Sequence, residues 1–300
     1  TIANFALNVA RYKLPADYYQ QYLTKLAAVD ASKVQEVAKS LLDPAHMHIV
    51  IVGNAKQIAK GLEKYGPVKY FDFEGNEVSA PVEAKADASL TPEMLLQKVV
   101  NAIGGKEAIA GIKDLQLKGT ASVMGQSLDM SQTYILPGNT VSTMSMGGMA
   151  IMRQAVVDGK YSVSQQGMEA PITDEIKEGL DEAAAIAPEA LYLTKGYQLK
   201  IVGTEKVEGK DAIDVEVTTP SGKKSHRFYD AKSYLLVKTA KSQEVPGRGT
   251  VTQQQFFNAY KTVNGIQLPT EEIVDMGQMK INIKYTDIKA NQGLKTTDLK

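Results

Sequence analysis

The sequence contains no cysteine and only three histidines in 300 residues. Without thiols there are no disulfides, no thiolate metal sites and no cysteine nucleophile. Net charge is missing as well, because 34 basic and 34 acidic side chains cancel. Neither a basic cluster nor an acidic tail breaks that balance, so no long-range field gathers nucleic acid or an anionic surface, and nucleic acid is not an expected partner. Long apolar runs are also lacking. The longest candidates, Ile49-Val50-Ile51-Val52 and Met149-Ala150-Ile151-Met152, fall far short of the roughly 18 residues that cross a bilayer, so no span is expected. No serine stands in a Gly-x-Ser-x-Gly elbow. Gly104-Gly105-Lys106 and Gly147-Gly148 lack the strand, helix and hydroxyl context of a phosphate loop and read as turns. The opening Thr1-Ile2-Ala3-Asn4-Phe5 shows neither an initiator methionine nor a signal core, and it reads as a start inside a longer protein.

What is present, 43% hydrophobic and 23% charged residues, describes a globular chain able to bury a core in one or two domains. Phe5, Val9 and Tyr12, then Tyr19, Tyr22, Leu23 and Leu26, recur at helical spacing and are divided by Leu14-Pro15, which predicts two helices between Ile2 and Ala28. Asp30 is placed to cap a third helix with Val34, Val37, Ala38, Leu41 and Leu42 on one side, closed by Asp43-Pro44. The β-branched run His48 to Gly53 predicts a buried strand, Asn54 to Glu63 a helix beside it, and Pro67 to Phe73 a short edge strand. Residues 79–90, with small side chains and no periodicity, read as a linker between a domain at 1–78 and a second at 91–300.

The second domain opens with a helix from Thr91-Pro92 to Ala102, stopped by Gly104-Gly105, and a short helix from Lys106 to Ala110. From Ile112 the pattern changes to period two, with turn signals at Gly125, Pro137-Gly138-Asn139, Asp158-Gly159, Glu208-Gly209, Pro220-Ser221-Gly222 and Asn264-Gly265. One helix, Thr173 to Ala190, interrupts the strands. The fold class expected is α+β: a partial α/β subdomain followed by an antiparallel half-barrel sheet of about ten strands enclosing helices.

Two family resemblances follow from these segments. Leu14-Pro15-Ala16-Asp17-Tyr18-Tyr19, Ala28 to Val34, Ala38-Lys39, Asp43-Pro44 and Ile49 to Gly53, in that order, resemble the closing helices and strand of insulinase/pitrilysin-type zinc peptidases over about residues 1–75. That family holds zinc with a His-x-x-Glu-His helix, which is absent here, so the resemblance implies a C-terminal piece with no catalytic residue and no metal or other cofactor of its own. Zinc is then expected in a full-length parent, a metalloendopeptidase. Arg11 and Tyr18 stand seven apart, as that family's substrate-gripping pair does, but on either side of Pro15. Gly203-Thr204-Glu205-Lys206-Val207-Glu208-Gly209-Lys210-Asp211-Ala212, then Tyr229-Asp230 with Ser233-Tyr234-Leu235, and Asn264 to Pro269 resemble the LolA/LolB-type lipoprotein carriers over about 91–299. This second resemblance implies a periplasmic or outer-membrane location in a Gram-negative bacterium.

Candidate chemistry is sparse. His46 and His48 flank Met47 with no third ligand in view and read as loop residues, and His226 reads as an exposed strand residue. Methionine is the more informative signal: Met124, Met130, Met144, Met146, Met149, Met152 and Met168 concentrate in one stretch of strands. Unbranched and adaptable, they are candidates to line an apolar cavity between the sheet and the Thr173–Ala190 helix, although a core filled by flexible side chains gives the same pattern. The first functional expectation is therefore a non-catalytic region whose β domain binds apolar or lipid-like ligands, with upstream peptidase domains or a peptidase subunit as partner. The alternative is a wall of the chamber of an active zinc peptidase whose metal lies upstream of residue 1.

Overall fold

The computed structural model describes residues 2–43, 47–53, 55–71, 75–78, 80, 89–192, 194–245, 249–277 and 279–299, arranged as two compact units, Thr1–Gly66 and Pro67–Lys300. The first unit holds α1 (Ile2–Tyr12), α2 (Tyr18–Ala27), α3 (Ala31–Leu41) and α4 (Ala55–Leu62), with a 3-10 turn at Glu63–Tyr65. Pro15 separates α1 from α2, which meet through the Phe5 and Tyr19 rings at 4.3 Å. The Asp30 carboxylate accepts the Lys33 backbone N–H at 2.8 Å and so opens α3.

The expected buried strand at His48–Gly53 does not form. His48 to Val52 has no regular structure, and Val50 and Val52 are each 85% exposed. β-branched residues favour a pleated surface only where a neighbouring strand supplies the ladder, and none of the described residues of this unit does so. No described residue of the first unit is buried. The proposed stop at Pro44, and His46, lie outside the described residues, as does most of the expected 79–90 linker.

The second unit begins with β1 (Tyr70–Phe71) pairing β2 (Glu77–Val78), a small hairpin where one edge strand was expected. Then come α5 (Pro92–Ile103) and α6 (Gly105–Gly111). The Thr91 hydroxyl accepts the Met94 N–H at 3.2 Å, and Pro92 occupies the first turn, where its missing donor costs nothing. A meander follows: β3 (Asp114–Val123), β4 (Gln126–Ile135), β5 (Asn139–Met146), β6 (Met149–Val157), β7 (Lys160–Gln165) and β8 (Met168–Glu169). Two helices intervene, α7 (Asp174–Ala183) and α8 (Glu189–Tyr192). The sequence suggested one helix to Ala190, but Pro188 cannot continue α7 and the chain restarts after it. A second meander returns: β9 (Gln198–Val207), β10 (Lys210–Thr218), β11 (Lys224–Asp230), β12 (Leu236–Val245) and β13 (Gly249–Asn258). The small hairpin β14 (Lys261–Val263) and β15 (Ile266–Leu268) precedes β16 (Glu271–Asp275), β17 (Lys280–Ala290) and a 3-10 turn at Thr296–Leu299.

Thirteen of these strands form one antiparallel sheet in the order β8-β7-β6-β5-β4-β3-β17-β16-β13-β12-β11-β10-β9. Each meander starts or ends mid-sheet, where β17 pairs with β3, and the sheet stays open at β8 and β9. Helices cover one face. Leu95, Leu96 and Val99 of α5 pack with Tyr192 on Ile213, Val215, Val217 and Tyr229. A central cluster joins Leu115, Leu117 and Ala121 of β3 to Leu128, Ile283 and Tyr285, under Ile266 and Leu268 of β15. Leu180 and Ala184 pack on Val156 near the β8 edge. Gly119 is forced to be glycine, since a Cβ there would strike the Lys284 carbonyl at the bulge of β17 between Tyr285 and Asp287. Asp114, buried at the start of β3, accepts the backbone N–H groups of Gln292 (2.7 Å), Gly293 (2.8 Å) and Leu294 (3.2 Å), which pins the segment after β17.

Candidate functional site

The register of the first meander assembles a row of thioethers. Met130 of β4 stands opposite Met144 of β5, Met144 opposite Met152 of β6, Met152 opposite Gln165 of β7, and Gln165 opposite Met168 of β8. Directly opposed residues share a face. Met130 opposes Gly119, in step with Leu117 and Ala121, so this row lies on the helix-bearing face. Met146, two residues beyond Met144, opposes Met149 across the Gly147-Gly148 turn.

Alternate hairpins of a meander turn at the same end. The β3–β4, β5–β6 and β7–β8 turns therefore share one rim, and so does the β16–β17 turn, because Ile281 pairs with Val123. That rim carries Met124 (86% exposed), Met146 (51%), Met149 (75%) and Met168 (70%). Met152 is exposed too, whereas Met130 and Met144 pack against the central cluster. The seven candidates thus grade from a packed pair to an exposed rim. The enclosing helix is different from what the sequence suggested: α7 packs on Val156, Tyr161 and Val163, and none of the seven methionines belongs to that cluster. Met276, which the sequence reading passed over because it is remote in sequence, reaches the same cluster as Met130 and Met144 from the β16–β17 turn.

Comparison with solved structures finds the same architecture. A DUF1329 family protein from Desulfovibrio piger aligns at 13% identity over 69% of this chain and 96% of its own, with a TM-score of 0.50. A candidate outer membrane lipoprotein-sorting protein domain from Vibrio parahaemolyticus aligns at 13% identity over 70% of this chain and 97% of its own, with a TM-score of 0.51. The fold shared with these structures is an open antiparallel half-barrel with helices on one face. No protein-family profile and no curated protein matches the sequence.

Below the rim, the inner face of the half-barrel is partly polar. Gln132 donates to the Tyr134 hydroxyl at 2.6 Å, and Gln255 donates to Glu272 at 2.8 Å. Burial pushes the Glu272 carboxyl up to about 7, against the opposing pull of the Gln255 hydrogen bond. Burial, followed by the nearby Glu272, raises Tyr134. Further along, buried Glu189 accepts from Arg227 at 3.2 Å and from the Tyr229 hydroxyl at 3.0 Å, a paired charge that anchors α8 to β11. None of these polar residues announces itself in sequence. Only the strand register shows which face each occupies.

Two shallow clefts lie on the described surface. One, of about 100 Å³, lies between α7, α8 and Pro220, and the other, of about 300 Å³, lies beside Arg153 and Leu299. Neither includes a methionine. His226 is half-buried rather than exposed, with Nδ1 2.7 Å from Asp214, a hydrogen bond that raises its pKa. Among the described residues no three His, Cys, Asp or Glu side chains are placed to hold a metal ion, and no helix is long and apolar enough to cross a membrane.

Proposed function

We propose that the half-barrel binds an apolar, lipid-like ligand on its methionine rim and the inner strip beneath it, in the periplasm or at the outer membrane. The observation that carries this reading is the continuity of the methionine row. Met130 and Met144 join the hydrophobic core, while Met146, Met149 and Met168 extend the same surface into solvent. Exposed thioether side chains at hairpin tips contribute nothing to a core, and flexible unbranched groups adapt to acyl chains of varied shape. Two structural relatives support it by their fold, one of them described as a lipoprotein-sorting domain. The lipid or lipoprotein cargo is left as a class. The zinc-peptidase parent, with its upstream domains or partner subunit, rests on the sequence resemblance of residues 1–75 alone.

The test is binding of a dansylated fatty acid to the whole chain and to a Met149→Asp/Met168→Asp variant. Both positions are exposed, so the melting temperature should be unchanged. Probe affinity should fall at least about tenfold, because binding would then require burying two carboxylates. Equal binding by both proteins contradicts the reading.

A further inference from the structure

The β5–β6 hairpin carries methionine at a spacing that core packing does not explain. Met144, Met146, Met149 and Met152 stand as two opposed pairs, Met144 with Met152 and Met146 with Met149, joined by Gly147-Gly148. Met144 and Met146 are two apart on one strand and share a face, and Met152 and Met149 oppose them on that face from either side of a β6 bulge at Ile151. Opposed Cβ atoms lie about 4.5–5.5 Å apart. From there, side chains with three rotatable bonds can bring several sulfurs to a common point. Met146, Met149 and Met152 are 51%, 75% and 39% exposed, so these residues are open to solvent.

We propose that these four methionines form a thioether site for a soft monovalent cation, copper(I) or silver(I). Thioether sulfur is a soft, neutral donor that favours copper(I) over hard or borderline divalent ions, which prefer carboxylate or imidazole. The surroundings reinforce that choice. The chain has no cysteine to compete. Asp129, the carboxylate nearest in register, opposes Ser145 and therefore belongs to the other face of the sheet. Binding transfers no electron: the ion enters and leaves in its monovalent state.

The site rests on the methionine surface proposed for apolar ligands, and the two readings are told apart by probing the parent separately with the ion and with a fatty acid. Met→Leu keeps size and apolarity and removes the sulfur. The experiment is an anaerobic titration with silver(I), and with copper(I) in competition against bicinchoninate, on the whole chain. The parent should bind one ion per chain. The Met144→Leu/Met146→Leu/Met149→Leu/Met152→Leu variant should lose at least about 100-fold in affinity for the ion, and a Met47→Leu/Met94→Leu control should behave as the parent. Should the fourfold variant fail to fold, Met146→Leu/Met149→Leu, at two exposed positions, should still lose most of the binding. No ion bound by the parent, or equal affinity in the folded leucine variants, overturns the site. Loss of fatty-acid binding in the parent, with silver(I) binding intact, would instead overturn only the apolar-ligand reading.

Discussion

Glu272 faces the interior of the half-barrel, with the Gln255 amide as its one hydrogen-bond donor among the described residues. Its pKa, raised to about 7 by burial, makes the folded state hold a proton that the unfolded chain gives up near 4.5. Both states are protonated below that lower value, so the group then has no effect on stability. As pH rises from about 4.5 to 7 the unfolded state ionises first and stability falls, and above 7 the full penalty is present. Glu272→Gln removes that titration while keeping a polar group for Gln255. Urea unfolding should show the variant equal to the parent at pH 4 and more stable by about 1–3 kcal/mol at pH 8. A gap that does not change with pH would contradict this. Residues of this kind were illegible in the sequence, because Glu271 and Glu272 are adjacent and only the pairing of Glu272 with Ile283 turns one of them inward. The methionines were legible as a concentration, but not as a row, since Met130, Met144, Met152 and Met168 are linked only through four strand registers.

At the scale of elements, local chemistry was readable where it is self-contained. Thr91-Pro92, Asp30 and Thr173 open helices as their side chains dictate, each accepting a backbone N–H three residues on. Turn glycines likewise marked the hairpins, including Glu208-Gly209 and Asn264-Gly265. Elements that depend on a partner were not readable. Ile49 to Val52 has the composition of a strand and remains unpaired, and the residues after Ala183 have helical composition but meet Pro188. The β3–β17 junction is the element on which the sheet depends, because among the described residues it is the only pairing that joins the strands before α7 to those after α8. Gly119→Ala would drive a Cβ into the Lys284 carbonyl there. Overpacking against backbone typically costs about 1–3 kcal/mol, and the loss should reach at least the upper part of that range. Thermal unfolding of Gly119→Ala beside Gly125→Ala, whose Cβ meets open space in a turn, separates close approach from backbone strain. Equal losses in the two would refute the junction's role.

For the whole molecule, every buried apolar residue among those described lies at Leu95 or beyond. Residues 91–300 expressed alone should therefore unfold cooperatively, with a melting temperature within a few degrees of the whole chain, because every described buried residue is kept and only the half-buried Leu90 is lost from the α5 cluster. A non-cooperative melt of that piece would show that earlier residues complete its core. The architecture was legible in the sequence as period-two strands between turn signals, while the strand count and order were not, because nothing local specifies that β17 returns to β3. The central claim is that the rim and inner face of this half-barrel receive an apolar ligand, and methionine methyl groups report on it directly. With ¹³C-methyl methionine in the whole chain, titration with oleate should shift the Met144, Met146, Met149 and Met168 resonances together and saturably, and leave Met47 and Met94 unmoved. Shifts confined to Met47 and Met94, or no shift at saturating oleate, would contradict the account.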